Sequence, residues 1–280
     1  MLLLFAVFAG ADQQLVVPVQ VAFLKEGRLP VPSDKFVVIE VGANTQNTVD
    51  ETLLPLNSDT FAVTFEPLLD KYGALLARNS RPDAFSRLGF HHDRGIVLPL
   101  AIATGSPLDW RHFHVHRIDG CSSLLESPPE TVVETRGVAT VPLSYVLDVW
   151  LGGRVVDYLK IDAQGNDLDA IRSAGPSLAN VTAVSVEVPT DDAAPAYAGE
   201  LRCSAALDEL EKMGLVPVGR KRMHDARFER HHFRSRAAAC SWAGVAAIEI
   251  LLCHWPGCVL ASVQPGDPIP GVRHAQSTPT

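Results

Sequence analysis

Short apolar runs alternate with helix-like patterns along most of this chain. The runs cover residues 36–41, 61–65, 95–103, 155–161 and 181–188. Runs of this length, rich in Val and Ile, are typical of strands buried on both faces of a parallel sheet. Between them, apolar residues recur at helical spacing, as at Leu68, Leu69, Tyr72, Leu75 and Leu76. Repeated β-α units of this kind predict an α/β fold with a doubly wound, mostly parallel sheet and helices on both faces.

Weaker patterns predict the remaining elements. Residues 111–118 alternate between polar and apolar positions, which indicates a half-exposed strand. Pro99 interrupts one apolar run and predicts an irregular or edge strand there. Further helices are predicted at 143–151, at 167–174 and at 204–213, each followed by a glycine.

Two strand ends carry the polar residues expected of a nucleotide site. Glu40 lies near the end of the first run and precedes the turn Gly42-Ala43-Asn44. Glu66 ends the second run, and Pro67 opens the next helix. Ligands of open α/β sheets bind beyond the carboxyl ends of the strands, where an acidic residue after the second strand holds ribose hydroxyls. Stabilising the helix N-terminus is the alternative role for Glu66.

The first turn disfavours a dinucleotide as the ligand. A pyrophosphate needs the pattern G-x-G-x-x-G so that backbone N–H groups can approach it. The corresponding positions here are Gly42, Asn44 and Asn47. The turn therefore favours a ligand that has ribose and adenine but no phosphate, such as S-adenosylmethionine (SAM), and it disfavours a dehydrogenase.

Composition limits the classes of function. The 280 residues, 47% of them hydrophobic, suffice for one substantial core. A formal net charge of -8 gives no general attraction to nucleic acid or to an anionic membrane. Five irregularly spaced cysteines argue against a disulfide framework and favour a reducing, cytoplasmic location. The apolar run at 2–9 is too short to span a bilayer, although its signal-like end leaves a secretory or organellar route open.

Four segments, in this order and spacing, carry a family resemblance: VVIEVGANTQNT, FEP, VDYLKIDAQGNDLDAIRSAG and VSVEV. Together they resemble the FkbM-type SAM-dependent methyltransferases over roughly residues 35–219. The K-I-D-x-x-G segment is the most specific part. The resemblance implies a Rossmann-like class I methyltransferase fold with a seven-stranded sheet, SAM as methyl donor, and O-methylation of a hydroxyl on a small molecule or glycan.

The resemblance also implies a set of site residues. The expected cofactor-binding residues are Glu40, Gly42, Ala43, Asn44, Glu66, Pro67 and Ala103, the expected catalytic residue is Asp162, and the expected substrate residues are Gln164, His91 and His92. The family usually has glycine and glutamate where this chain has Gln46 and Gln164. Because of these two departures, a non-catalytic binding module is an alternative.

The chemistry asks little of the protein beyond positioning. Methyl transfer from a sulfonium depends mainly on holding the acceptor in line with the methyl group. A hydroxyl acceptor must also lose its proton. Asp162 is the candidate for the base or for the group that orients the acceptor, and hydrogen bonding to its own loop is the alternative role.

Three further polar clusters favour structural interpretations. His112, His114 and His116 share one strand face, and Cys253, His254 and Cys258 are close in sequence. Neither set has the ligand spacing of a familiar metal site, so no metal is predicted. Residues 220–236 are strongly basic, which favours a solvated loop between the last two strands, with RNA methylation as the alternative function.

Four regions are predicted along the chain. They are an N-terminal apolar segment at 1–34, a SAM-binding core at 35–219, a basic insert with a possible closing strand at 220–255, and a disordered tail at 256–280.

Overall fold

A computed structural model describes residues 24, 26–45, 59–79, 95–222, 229–230, 240 and 247–254. The strands are β1 Phe36–Val41, β2 Thr60–Phe65, β3 Gly95–Leu98, β4 Ala101–Ile102, β5 Asp109–His116, β6 Val132–Val141, β7 Val156–Ile161, β8 Val181–Pro189, β9 Leu215–Arg222, β10 Glu229–Arg230 and β11 Ala247–His254. The helices are α1 Leu69–Asn79, α2 Leu143–Tyr145, which continues as a π-helical turn at Val146–Trp150, α3 Asp167–Arg172 and α4 Cys203–Lys212, with a 3₁₀ turn at Gly175–Asn180.

The main sheet has the strand order β10-β9-β11-β8-β7-β1-β2-β3 in the described part of the chain. The strands from β8 to β3 run parallel to one another. β11 lies between β8 and β9 and is antiparallel to both. This order confirms the predicted mostly parallel, Rossmann-like fold, and the two-residue β10 makes the sheet one strand wider than the expected seven. The chain changes direction across the sheet between β1 and β7, which is where such folds open a ligand cleft.

The parallel strands are buried because helices cover both of their faces. Ile39, Val63 and Leu159 point into the larger core, which is closed by α2, α3 and α4. Val38 and Tyr158 point to the other face, where α1 packs. Leu69 was expected on the buried face of α1 but is 52% exposed, because it opens the helix beyond the end of the sheet.

A second sheet of three strands was not predicted. Its order is β4-β6-β5, and β5 and β6 form an antiparallel hairpin. The apolar run at 95–103 divides at Pro99, so that β3 lies at the edge of the main sheet and β4 joins the second one. This confirms the irregularity expected at Pro99. β6 has no uniform pattern because its first half is largely exposed and its second half is buried.

The last two long strands, β9 and β11, pair antiparallel. The basic segment at 220–236, predicted as a loop between them, is in part strand, because residues 220–222 end β9 and residues 229–230 form β10, which pairs with β9. The rest of that segment lies outside the described residues. Outside them also lie His91, His92, Gln46, the first 23 residues and the tail from residue 255. Within the described part, no helix has the length and apolar character needed to cross a membrane.

A disulfide joins Cys203, the first residue of α4, to Cys240. Both cysteines are fully buried. The irregular spacing of the cysteines gave no sign of this pair, because only the fold brings the two together. The cysteines therefore no longer support the expectation of a reducing compartment, and the cytoplasmic location stays a prediction.

Candidate active site

The carboxyl ends of β1, β2 and β7 meet at one edge of the main sheet. The Gly42 N–H donates to the carbonyl of Phe65 at 3.0 Å, and the Asp162 N–H donates to the carbonyl of Val41 at 3.1 Å. Gly42 has φ +78, and a Cβ at this position would overlap the carbonyl oxygen of Asp162. Only glycine therefore lets the first turn lie against the loop that follows β7.

Glu66 ties the first turn to the start of α1. Its carboxylate accepts hydrogen bonds from the N–H group of Asn44 in the first turn at 2.7 Å and from that of Leu68 at 2.9 Å. Pro67, between Glu66 and Leu68, has no N–H to donate. Only 4% of Glu66 is exposed. Burial raises the pKa of Glu66 to about 7, although both backbone bonds act to lower it. The carboxyl group thus titrates near neutrality.

Asn44 places a polar side chain at the same edge. It has φ +50, and its side-chain N–H₂ hydrogen-bonds to Asp119. Its Oδ1 atom is buried and has no hydrogen-bond partner among the described residues. Because a buried acceptor without a partner costs about 1–3 kcal/mol, this oxygen suits a donor from a bound ligand.

A row of buried polar residues crosses the sheet close to the carboxyl ends of its strands. Thr64, Glu40, Lys160 and Ser185 occupy neighbouring register positions across β2, β1, β7 and β8. Glu40 is fully buried, and Lys160 Nζ lies 3.7 Å from its Oε1 atom and 3.3 Å from Asp162 Oδ2. Lys160 therefore links the two acidic residues that the sequence had placed at separate strand ends.

Asp162 is held as a carboxylate. Burial opposes its ionisation, but the charge of Lys160 and hydrogen bonds from Glu187, Gln164 and Lys160 outweigh burial and keep the pKa of Asp162 below its usual range. About a quarter of the side chain, 23%, is exposed. A carboxylate that accepts several hydrogen bonds can orient the hydroxyl of a methyl acceptor, but it is a weak base.

Two more carboxyl groups surround Asp162. Burial, and then the charges of Asp162 and Asp167, raise the pKa of Glu187 far above its usual range, so it stays protonated at neutral pH. Burial and the charge of Asp162 raise the pKa of Asp167 to about 7. Asp167 accepts the N–H groups of Ala163 at 3.1 Å and Gly165 at 3.0 Å, and so shapes the loop after β7.

Gln164 connects this cluster to the loop that follows β8. Its Nε2 atom donates to Asp162 Oδ1 at 2.7 Å, and its Oε1 atom accepts the hydroxyl of Tyr197 at 2.9 Å. The Tyr197 hydroxyl also lies 2.9 Å from the carbonyl of Cys121. The amide of Gln164 is thus fixed in one orientation, with its donor side towards Asp162.

The connection between β5 and β6, residues 117–131 and here named the hairpin loop, lies against this edge on two sides. Asp119 pairs with Lys71 of α1 beside the residues expected to bind the cofactor. On the other side, the Ser123 hydroxyl donates to the carbonyl of Gln164 at 2.6 Å, and the Ala198 N–H donates to the carbonyl of Glu126. The unpredicted second sheet therefore supplies one wall of the site.

The other expected site residues are placed less directly. Ala43 is 3% exposed and donates its N–H to Phe65, within the first turn. Ala103 is fully buried behind β4, where its N–H donates to the carbonyl of Val141, so it presents no surface to the edge. The ring centroid of His116 is 5.9 Å from that of Tyr197, so His116 packs on the loop and does not form a solvated face with His112.

The sequence missed three residues of the cluster. Glu187 had a signal, because it interrupts an apolar strand near its end as Glu40 and Asp162 do. Lys160 was visible only as part of the family motif. Tyr197 had no signal, since it lies in an irregular loop whose path depends on the fold.

The sequence model of the family described as the methyltransferase FkbM domain matches residues 40–202, which is more than half of the chain. The chain belongs to the FkbM methyltransferase family. It is a methyltransferase, and its methyl donor is SAM. No curated protein matches the sequence.

Several solved structures are similar to this chain at low sequence identity. A chain of a fibrillarin/Nop5p complex is 14% identical, with a TM-score of 0.40 over 81% of this chain and 76% of that one. The precorrin-6y C5,15-methyltransferase from Geobacter metallireducens GS-15 is 11% identical, with a TM-score of 0.38 over 79% and 81%. The aminoglycoside resistance methyltransferase NpmB1 is 11% identical, with a TM-score of 0.37 over 79% and 89%.

The residues at the edge fit an adenosyl ligand. Gly42 lets the first turn lie against the loop after β7, Glu66 offers a carboxylate to hydroxyl donors, and Asn44 offers a buried oxygen that has no hydrogen-bond partner among the described residues. When bound there, SAM supplies a reactive methyl group on a positively charged sulfur.

Proposed function

We propose that this edge binds SAM and that the enzyme transfers its methyl group to a hydroxyl of a small molecule or glycan held beside Asp162. The observation that carries the proposal is the convergence of Gly42, Glu66 and Asp162 at the ends of adjacent strands. Glu66 would accept the ribose hydroxyls, and the turn from Gly42 to Asn44 would receive the amino-acid end. The hydrogen bonds that Glu66 accepts from the N–H groups of Asn44 and Leu68 hold its carboxylate in a fixed orientation at the edge.

The residues around Asp162 favour a methyl acceptor that is uncharged and carries a hydroxyl group. The exposed part of Asp162 would accept the hydrogen bond of a hydroxyl and hold it in place. Gln164 and Tyr197 add polar but uncharged groups to the wall. An anionic acceptor such as a phosphate would meet the carboxylate of Asp162, and among the described residues Lys160 is already engaged by Glu40 and Asp162.

The cofactor site is tested by calorimetry with S-adenosylhomocysteine (SAH) on Glu66→Gln. A hydrogen bond to a charged group contributes about 1.5–3 kcal/mol, so we expect the variant to bind SAH about 10- to 100-fold more weakly. Glu130→Gln, which changes an exposed glutamate of the hairpin loop, is the matched control and should bind like wild type.

The same measurement has a predicted pH dependence. The pKa of Glu66 is about 7 in the free protein, and hydroxyl donors favour the ionised form. Affinity for SAH should therefore rise about 10-fold from pH 6 to pH 8 in wild type, since only the ionised fraction binds well, and should lose this dependence in Glu66→Gln. Wild type that binds neither SAM nor SAH, or a Glu66→Gln variant with unchanged affinity, would contradict the proposed site.

The acceptor class is tested with a library of hydroxylated metabolites and glycans, read by mass spectrometry as a gain of one methyl group. Asp162→Asn should abolish methylation while SAH still binds, because the cofactor contacts assigned to Glu66 are intact. Methylation of RNA but of no hydroxylated small molecule would reject the proposed acceptor in favour of a nucleic acid.

A further inference from the structure

Glu187 has no part in the proposed function, yet its carboxyl group lies beside that of Asp162. The two groups lie at the carboxyl ends of the neighbouring strands β7 and β8 and approach the same amide nitrogen. Nε2 of Gln164 lies 2.7 Å from Asp162 Oδ1 and 3.5 Å from Glu187 Oε2. Two carboxyl groups that approach one donor in this way lie too close together for both to ionise readily, so one of them keeps its proton. The pair therefore holds one proton and one negative charge.

The surroundings of the pair explain why it keeps a single charge. Lys160 stabilises the ionised member, Asp162, from 3.3 Å. Two carboxylates so close together do not both ionise readily. Among the described side chains, the remaining titratable groups around the pair are Asp167 on α3 and Cys121 and Tyr197 in the adjoining loops, and none of these adds a positive charge. In the backbone register, Glu187 pairs with Glu249 on β11, which in turn pairs with Lys221 on β9. Lys160 is therefore the one cation that the described side chains place beside the pair, and a bound cation would favour a second negative charge there.

We propose that the Asp162–Glu187 pair is the charge partner of the SAM sulfonium and that Glu187 releases its proton when SAM binds. This inference rests on the proposed function, since it needs SAM at this edge. A positive charge beside the pair favours its doubly ionised form. The O–H bond of Glu187 then breaks, its electron pair stays on the carboxylate, and the proton passes to the solvent.

The proton balance gives the pair a role in the reaction. Asp162 alone is a weak base, because its donors stabilise the carboxylate. Once Glu187 has lost its proton, the pair is a stronger base and takes the proton of the acceptor hydroxyl as that oxygen is methylated. One proton leaves when SAM binds and one enters from the acceptor, so a turnover releases one proton in total and restores the pair.

The test counts protons during ligand binding by calorimetry in buffers of different ionisation enthalpy. SAM and SAH share every group except the sulfonium methyl, so their difference reports the effect of that charge together with any change in the ligands' own amino group. Glu187→Gln removes the releasable proton but keeps a donor towards Asp162. We expect wild type to release about half a proton more with SAM than with SAH at the pH of largest effect, which lies between the free and bound pKa values, and Glu187→Gln to lose this excess.

Glu130→Gln is the matched control and should behave like wild type. If SAM and SAH bind but the excess is the same in wild type and Glu187→Gln, the inference is wrong and the proposed function stands. If neither ligand binds wild type, both are wrong.

A second measurement avoids any dependence on the folding of the variant. Since either ligand also favours the ionised form of Glu66, the infrared spectrum of wild type should show a protonated carboxyl band that SAM diminishes more than SAH does. A band that is absent without ligand, or that SAM diminishes no more than SAH does, would overturn the inference.

Discussion

At the scale of single residues, Gly165 makes room for the acceptor wall. It has φ +84, and a Cβ there would lie 2.6 Å from Cδ2 of Tyr197. The aromatic ring therefore lies directly on the backbone of Gly165 while its hydroxyl reaches Gln164. Two demands, a left-handed backbone and the close approach of a ring, fall on the same residue.

The two demands are separable by mutation. Gly153 has φ +75 and open space around its Cβ position, so Gly153→Ala measures the backbone cost alone. We expect Gly153→Ala to lower the free energy of unfolding by about 1–2 kcal/mol. Gly165→Ala should lower it by about 2–4 kcal/mol, because the overlap with Tyr197 is added. Urea denaturation checks both values, and equal losses would show that the ring does not constrain Gly165.

Gln164 also gains a physical explanation at this scale. Its amide donates to Asp162 and accepts from Tyr197, two roles that a glutamate carboxylate would not fill together at neutral pH. A glutamate would instead add another carboxyl group beside Asp162, Asp167 and Glu187. The departure from the usual family residue is thus built into the hydrogen bonding of the site and is not in itself a sign of lost activity.

At the scale of elements, Arg154 fixes the segment that leads into β1. It lies just before β7, and its guanidinium donates to the carbonyls of Pro32, Ser33 and Lys35. Leu29, further back on the same segment, is buried in the larger core. The approach to the first strand is therefore bound to the start of β7, the strand that pairs with β1 in the middle of the sheet.

Loss of this anchor should be measurable. We expect Arg154→Ala to lower the free energy of unfolding by about 1–3 kcal/mol, because several carbonyls lose a charged donor. Arg172→Ala, which removes an exposed ion pair with Glu209, is the control and should cost less than about 0.5 kcal/mol. Chemical denaturation with equal losses for both variants would show that Arg154 does not anchor the segment.

At the scale of the whole molecule, the disulfide joins distant parts of the chain. Cys203 and Cys240 are 37 residues apart in sequence. The bond connects α4, which packs on the larger core, to the stretch between β10 and β11. It thereby limits how far the chain around the basic segment can separate from the core.

The disulfide should make stability depend on redox conditions. Closing a loop of this length restricts the unfolded chain by about 3–4 kcal/mol in the chain-entropy account. Cys203→Ser should therefore lower the free energy of unfolding by an amount in that range, and a reducing agent should do the same to wild type. Cys121→Ser, at the half-buried free thiol, is the control. Stability that is unchanged by reduction would show that the bond contributes nothing.

Much of the main sheet could be predicted because its strands are buried on both faces. Burial on both faces makes each of β1, β2, β7 and β8 a continuous apolar run, which is visible locally. The polar residues at the ends of those runs were visible for the same reason. The second sheet was missed because β6 is half exposed, so its residues follow no single pattern.

The sequence by itself determined the order of the parallel strands and their helices, the glycine turn after β1 and the family, because these depend on local patterns and on motif order. The tertiary structure decided which side chains act together. The pairing of Glu187 with Asp162, the placement of Tyr197 on Gly165 and the bond from Cys203 to Cys240 join residues that are far apart in the chain. Their contacts depend on strand register and loop paths, which a local pattern of polar and apolar residues does not specify.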